Sequence, residues 1–317
     1  MRMPVRRPSW LTASVPPTVA IEIAAHRVTV VGIGHSTAGA TIAGQASESL
    51  PAGLVTPGLA GVNIQDAPAV SGVLKRLVER AGLGNPKRVA LLLPDSIARV
   101  SLLPFEQVPA RAADLDELIR WQLKKATPYP IEEAQVTHFV ASTQGTSTTI
   151  AALVARRDVV AQYEGLVEGL GMHAGLVDLA SLNVMNAVIS AGAAPAADWL
   201  FVHLAAEATT LAILRGRDLM FYRHRLADEE PLGALVHQTA MYHEDRLGGA
   251  AFSRIWFSGG GTDARAREEI ATRLGVPAMI VDIRGAATIP DRIDASAELL
   301  DALAAPVGIL LRERPAA

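Results

Sequence analysis

Arg254–Gly275 reads RIWFSGGGTDARAREEIATRLG. A short apolar run, Ile255-Trp256-Phe257, stops at three glycines, Gly259, Gly260 and Gly261. An alanine-rich polar segment follows, with Ala264, Ala266, Ile270 and Leu274 at near-helical spacing, and Gly275 ends it. The pattern predicts strand, glycine turn, helix, glycine cap and a second strand over Ala278–Val281. Three glycines between strand and helix let the backbone come close to a ligand, with helix N–H groups aimed at it. The same turn also serves simply to pack a helix on its sheet, so the stretch decides α/β character before it decides any chemistry.

Working outward, the chain has 317 residues, half of them hydrophobic, which is material for about two domains. A net charge of −3 argues against a general nucleic-acid binder. With no cysteine there is neither a disulfide nor a thiolate metal site, and a reducing cytoplasm fits. No apolar run approaches the roughly 18 residues needed to span a bilayer. The first residues, MRMPVRRPSWLTASVPP, carry Arg2, Arg6 and Arg7 and are too short and proline-broken for a signal peptide. They read as a flexible arm or a small basic anchor.

Thr18–Gly32 is β-branched and predicts a hairpin turning at Ala24–Arg27, with a third strand between Ala38 and Leu50. Val70–Ala81 has helical spacing; Lys87–Leu93 and Arg99–Pro104 read as strands. Asp114–Ala126 predicts an amphipathic helix capped by Asp114, with Glu117 at the third position and Leu115, Ile119 and Leu123 on one face. Pro128-Tyr129-Pro130 stops it. Val136–Val140 and Thr148–Val154 are strands, Arg157–Leu170 a helix, Leu176–Asp178 a short strand before helix Leu179–Ile189. After a small-residue linker at Ala191–Ala197 the pattern restarts with strands over Trp199–Arg215 and Asp218–Arg225 and a helix over Pro231–Leu247. Glu298–Leu303 and Pro306–Leu311 predict a closing helix pair split at Pro306.

Ile21–Val31, IEIAAHRVTVV, and Val202–Ala212, VHLAAEATTLA, run in parallel when Glu22 is set against His203. Each opens a strand set followed by helices, which points to two related α/β halves.

Two hairpins opening two halves, with a late strand–GGG–helix, resemble the duplicated, ribonuclease H-like layout of the actin-like ATPase fold. Within it the chain is similar to the PilM family of type IV pilus assembly proteins, over roughly Pro17–Arg312. The residues that carry this are VAIEIAAHRVTVV; RVALLLPDSIARVSLLPF; ELIRWQLKKATPYPIEE; GLVDLASLNVMNAV; DWLFVHLAAEATTLAILRGRDLMFYR; RIWFSGGG; and the terminal GILLR. The resemblance implies a flexible arm (1–17), a first actin-like domain in two parts (18–103 and 172–195) around an inserted α/β subdomain (104–171), and a second domain (196–317). It also implies a cytoplasmic scaffold, peripheral at the inner membrane through its partners, that receives the N-terminal tail of a PilN-like protein where the insert meets the first domain. Pilus motor and platform proteins, or a second copy, are further implied partners. Trp121 and Tyr129 are the candidate groove walls, because large rings contribute much contact area.

The nucleotide site that the family implies is altered here. Glu22 stands for the Asp of the Asp-x-Gly phosphate loop, Ala24 for its Gly, Ala25 and His26 for small hydroxyl residues and Thr29 for a Lys. The second loop is His203-Leu204-Ala205. Glycine admits close approach of phosphate oxygens where a Cβ obstructs it, and Mg²⁺ prefers oxygen ligands to imidazole. ATP and Mg²⁺ are therefore implied only by the resemblance. Gly259, Gly260, Gly261 and Glu22 are the candidate residues of a degraded site, and no ATPase activity is expected. Two alternatives remain: an active ATPase on the same fold, or a cytoplasmic component of a type II secretion platform.

The remaining candidates read quietly. His26 and His203 read as lone surface or hydrogen-bonding histidines, and His237 and His243 lie off one helix face, so no metal site is expected. Tyr222, Arg223, His224 and Arg225 read as a solvated strand face. No G-x-S-x-G elbow, P-loop, Rossmann or zinc-finger pattern occurs.

Overall fold

The computed structural model describes residues 16–37, 39–259, 264–291 and 293–312. The basic arm ahead of Pro16, and Gly260 and Gly261 of the glycine turn, lie outside them.

The first sheet starts as an antiparallel meander, β1 (Val19–Ile23), β2 (Arg27–Ser36) and β3 (Gly39–Ser49). Helix α1 (Ala67–Arg80) follows, its first turn held by the Asp66 carboxylate accepting from Ala69 N at 2.9 Å. Strand β4 (Arg88–Leu93) then joins β1 in parallel. All five side chains of β1 are buried, as a central strand covered on both faces requires.

After β4 the chain leaves this sheet. Strand β5 (Ala98–Phe105), helix α2 (Ala112–Leu123) and strands β6 (Ala134–Gln144) and β7 (Ser147–Arg156) form a separate three-stranded sheet in the order β5-β7-β6. Leu115, Ile119 and Leu123 of α2 pack on it with Phe105, Ile150 and Val154. The chain returns through α3 (Arg157–Glu168) to β8 (His173–Leu179), which completes the first sheet beside β4. Helix α4 (Ala180–Ser190) leads to the second half.

There the same order repeats. Strands β9 (Asp198–Leu204), β10 (Ala208–Arg215) and β11 (Asp218–Leu226) make the meander. Helix α5 (Leu232–Leu247) leads to β12 (Arg254–Gly259), parallel to β9. Helix α6 (Ala264–Leu274) leads to β13 (Ala278–Ile280), parallel to β12. The two sheets read β3-β2-β1-β4-β8 and β11-β10-β9-β12-β13. The duplication read from the two hairpins is thus a duplication of topology. It extends to single bonds: Ala24 N donates to Arg27 O in the first turn and Ala205 N to Ala208 O in the second, both at 2.9 Å.

The last helix, α7 (Ala297–Leu310), lies with α4 between the two sheets, in a core that includes Ala20, Val31, Trp199 and Phe201. The outer faces are covered by α1 and α3 on the first sheet and by α5 and α6 on the second. The two central helices pass so closely that a Cβ on Gly308 would sit 1.8 Å from the Asn183 carbonyl oxygen, which explains a glycine inside α7. Among the described residues no helix is long and apolar enough to cross a membrane.

Three local readings need correction. α7 is one helix, not a pair split at Pro306; all residues from Leu300 to Ile309 are buried, and packing on every side outweighs the one backbone bond that proline removes. α2 starts at Ala112, so Asp114 is a first-turn residue beside Arg111 (3.8 Å) and makes no cap. The inserted sheet begins at Ala98, ahead of residue 104. Helix α3 belongs under the first sheet, where Val159, Tyr163 and Leu166 are buried with Ile21 and Leu91.

Candidate functional site

A cleft of about 340 Å³ opens where the C-terminal ends of β1, β4, β9 and β12 face one another across the two halves. Parallel strands place their ligand crevice at this end. Both hairpin turns line it. The first contributes Glu22, Ala24, His26 and Arg27, and the second His203, Ala205 and Glu207. His26 and His203, far apart in sequence, therefore share one cavity with carboxylates from their own turns, Glu22 and Glu207, and from other elements, Asp95, Glu298 and Asp301.

Glu22 is 6% exposed. Arg27 Nη2 lies 3.9 Å from its Oε2, beyond hydrogen-bond length, and no described residue donates to that oxygen. Arg27 Nε is equally buried and without a partner among the described residues. Burial pushes the Glu22 carboxyl above its ordinary range; Arg27 and His203 only partly oppose this. Burial, then the Arg27 charge, pushes His26 down.

Gly259 has φ +76, and a Cβ there would meet the Leu204 carbonyl oxygen at 2.1 Å. Its N–H donates to Asp301 Oδ1 at 2.7 Å, and Ser258 Oγ donates to the same oxygen at 3.0 Å. The hydroxyl proton being spent, Ser258 accepts from His203 Nδ1–H at 3.2 Å. The first glycine of the turn thus ties β12 to β9 and to α7.

A second chain of the same form joins the halves. Asp95, in the turn after β4, accepts from Ser181 N at 3.2 Å and from Thr210 Oγ1 at 2.9 Å. Thr210 accepts in turn from His224 Nδ1–H at 2.9 Å, and His224 Nε2 lies 3.2 Å from Ser96 Oγ. Ser96 Oγ donates to Glu207 Oε1 at 3.3 Å, and Tyr222 shares a bond with Ser181 at 3.0 Å. Burial pushes His224 down and holds the Tyr222 hydroxyl well up. Tyr222 and His224 are therefore half-buried at the seam, while Arg225 is exposed, so only part of this run is a solvated strand face.

A separate groove of about 330 Å³ runs between the insert, β8 and α4 of the first half, and the β10–β11 turn of the second. Phe139 and Val140 of the edge strand β6 form one wall, and Leu182, Met185 and Ile189 of α4 the other; Leu219 of β11 also lines it. Arg312 donates to Asp178 at 2.5 Å beside it. Val140 is 59% exposed. Of the aromatic candidates, Trp121 stands 72% exposed on the outer face of α2. Tyr129 is 8% exposed inside the insert's core, its hydroxyl without a partner among the described residues. Neither lines this groove. The Pro-aromatic-Pro turn folds its ring inward, which the local pattern does not reveal.

Sequence reading also passes over Asp198, whose carboxylate accepts from Arg215 Nε at 2.6 Å and Nη2 at 2.9 Å and bonds His243 Nε2 at 2.8 Å. His243 is fully buried against Phe252, and Arg215 holds the Asp198 carboxyl below its usual range. His237 is exposed. No spacing rule links these positions.

The model of the family "Type IV pilus assembly protein PilM" matches residues 20–233. Among solved structures, the chain is similar to a PilM-PilN type IV pilus biogenesis complex. The identity is 18%, with 94% of this chain and 98% of that chain covered and a TM-score of 0.79. It is also similar, at 9% identity, to a protein of unknown function with an actin-like ATPase fold from Bacteroides thetaiotaomicron; 90% and 94% of the two chains are covered, with a TM-score of 0.50. No curated protein matches the sequence. The actin-like fold expected from the two hairpins and RIWFSGGG is the fold of this chain.

Proposed function

The chain belongs to the PilM family of type IV pilus assembly proteins, and from that premise we propose that it is a cytoplasmic scaffold of the pilus inner-membrane platform. It captures the apolar N-terminal tail of a PilN-like membrane protein in the groove between the insert and the first half. The observation that carries this reading is the groove itself: an edge strand with Val140 exposed, facing Leu182, Met185 and Ile189 of α4. An edge strand presents unpaired backbone groups to an extended peptide, and the pockets beside it take alternate side chains. The complex of a fold relative with PilN lends the partner's class.

In this reading the interdomain cleft does not turn over ATP. Mg·ATP fits its residues poorly. The Ala24 and Ala205 N–H groups are engaged within their own turns, Cβ atoms stand where the family has glycine, and Glu22 sits where burial disfavours its charge. The carboxylates around the cleft also oppose a triphosphate.

Fluorescence anisotropy with a labelled N-terminal peptide of the PilN-like protein tests the scaffold reading. Val140→Glu changes an exposed side chain and leaves the fold intact. It is expected to weaken binding at least about tenfold. Equal binding by the variant, or none by the wild type, contradicts the reading. ATP turnover is expected at background; a rate well above background that is lost in Glu22→Gln contradicts the second part.

A further inference from the structure

We propose that the interdomain cleft is a receptor for a guanidinium or ammonium group, most directly an arginine side chain. Two independent observations meet here. The first is charge. Among the described residues, Glu22, Asp95, Glu207, Glu298 and Asp301 line the cleft against the single guanidinium of Arg27. Such a concave, partly buried acidic wall focuses a field that attracts cations and repels phosphates. The second is an unmet bond. Glu22 is more than nine-tenths buried, lines the cleft, and has a buried Oε2 to which no described residue donates.

Arg27 does not resolve that orphan, because its nearest nitrogen is 3.9 Å away and its own Nε also lacks an acceptor. The pair therefore needs a donor beside Glu22 and an acceptor beside Arg27. A peptide arginine supplies both, with the guanidinium on the carboxylate and a backbone carbonyl on Arg27 Nε. A metal ion is the weaker fit. Among the described residues no group of three His, Asp or Glu side chains is placed to hold one, and Asp95 and Asp301 already accept bonds from Ser181, Thr210, Ser258 and Gly259. The cation has two sources: the arm of this chain, which carries Arg2, Arg6 and Arg7, or a ligand from outside.

Calorimetry on the full chain with N-acetyl-arginine amide, and with N-acetyl-citrulline amide as its neutral isostere, tests the assignment. The wild type is expected to prefer the arginine compound by about tenfold or more, and Glu22→Gln to abolish the preference. Because the wild type alone must discriminate the two compounds, the test survives a variant that folds badly. A chain with Arg2, Arg6 and Arg7 changed to Ala separates the sources. Tighter binding assigns the site to the arm, and unchanged binding assigns it to an outside ligand; either supports the site. Absence of binding to both chains, or equal affinity for arginine and citrulline compounds, overturns it.

Discussion

Thr210 donates its hydroxyl to Asp95 across the seam between the two halves, 2.9 Å from oxygen to oxygen, with both residues buried. A threonine of the second sheet therefore completes the hydrogen bonding of a carboxylate that caps the first. Thr210→Val keeps the shape and removes the hydroxyl, which leaves Asp95 Oδ2 without that donor and His224 Nδ1–H without its acceptor. Urea denaturation is expected to show a loss of about 1–3 kcal/mol, the cost of unsatisfied buried polar groups.

The stability of the protein carries a pH signature from Glu22. Its folded-state pKa is raised above the ordinary 4.5, with Arg27, His203, Asp301 and Asp95 facing it. The native state thus binds more protons than the unfolded chain once pH passes 4.5. Stabilisation from this group is complete below that value and is lost as pH rises through the raised pKa. Glu22→Gln removes the dependence, so the variant gains on the wild type as pH increases from 4.5. His224 acts in the opposite sense: pushed below 6.5 by burial, it costs stability as pH falls below 6.5. Denaturation midpoints of the wild type, Glu22→Gln and His224→Gln across this range check both slopes.

Gly259→Ala forces a Cβ into left-handed backbone and onto the Leu204 carbonyl. A loss of at least about 2 kcal/mol is expected from the backbone strain and the displaced β9–β12 pairing. The thermal midpoint reads it.

Asp198→Ala removes the partner of a fully buried histidine and of Arg215. Breaking a buried pair costs about 3–5 kcal/mol, and the low end is expected because the Arg215 side chain is 43% exposed. Restoring the wild-type midpoint needs a carboxylate at this position, so Asp198→Asn is expected to recover only part of it.

The fold was legible where local chemistry and tertiary place agree. The β-branched hairpins around Glu22 and His203 and the RIWFSGGG strand are central strands buried on both faces, so their apolar runs announce them. The position of Trp121 off the stripe of α2 signalled its exposure. Pro306 and Asp114 misled, because local stop and cap signals there yield to packing around α7 and to the earlier start of α2. The cleft was half legible. Aligning the two hairpins brings Glu22 and His203 together, but Asp95, Ser96 and His224 carry no motif and meet only through the topology. The groove was the least legible, since Phe139 and Leu182 come from a strand and a helix that touch only after the insert folds back.

Hydrogen–deuterium exchange with and without the N-terminal peptide of the PilN-like protein tests the scaffold account most directly. The account predicts slowed exchange in β6 around Phe139–Ala141 and in α4 around Leu182–Ile189, with the hairpin turns at Ala24–Arg27 and Ala205–Ala208 unchanged. Protection confined to those turns, or no protection anywhere, contradicts it.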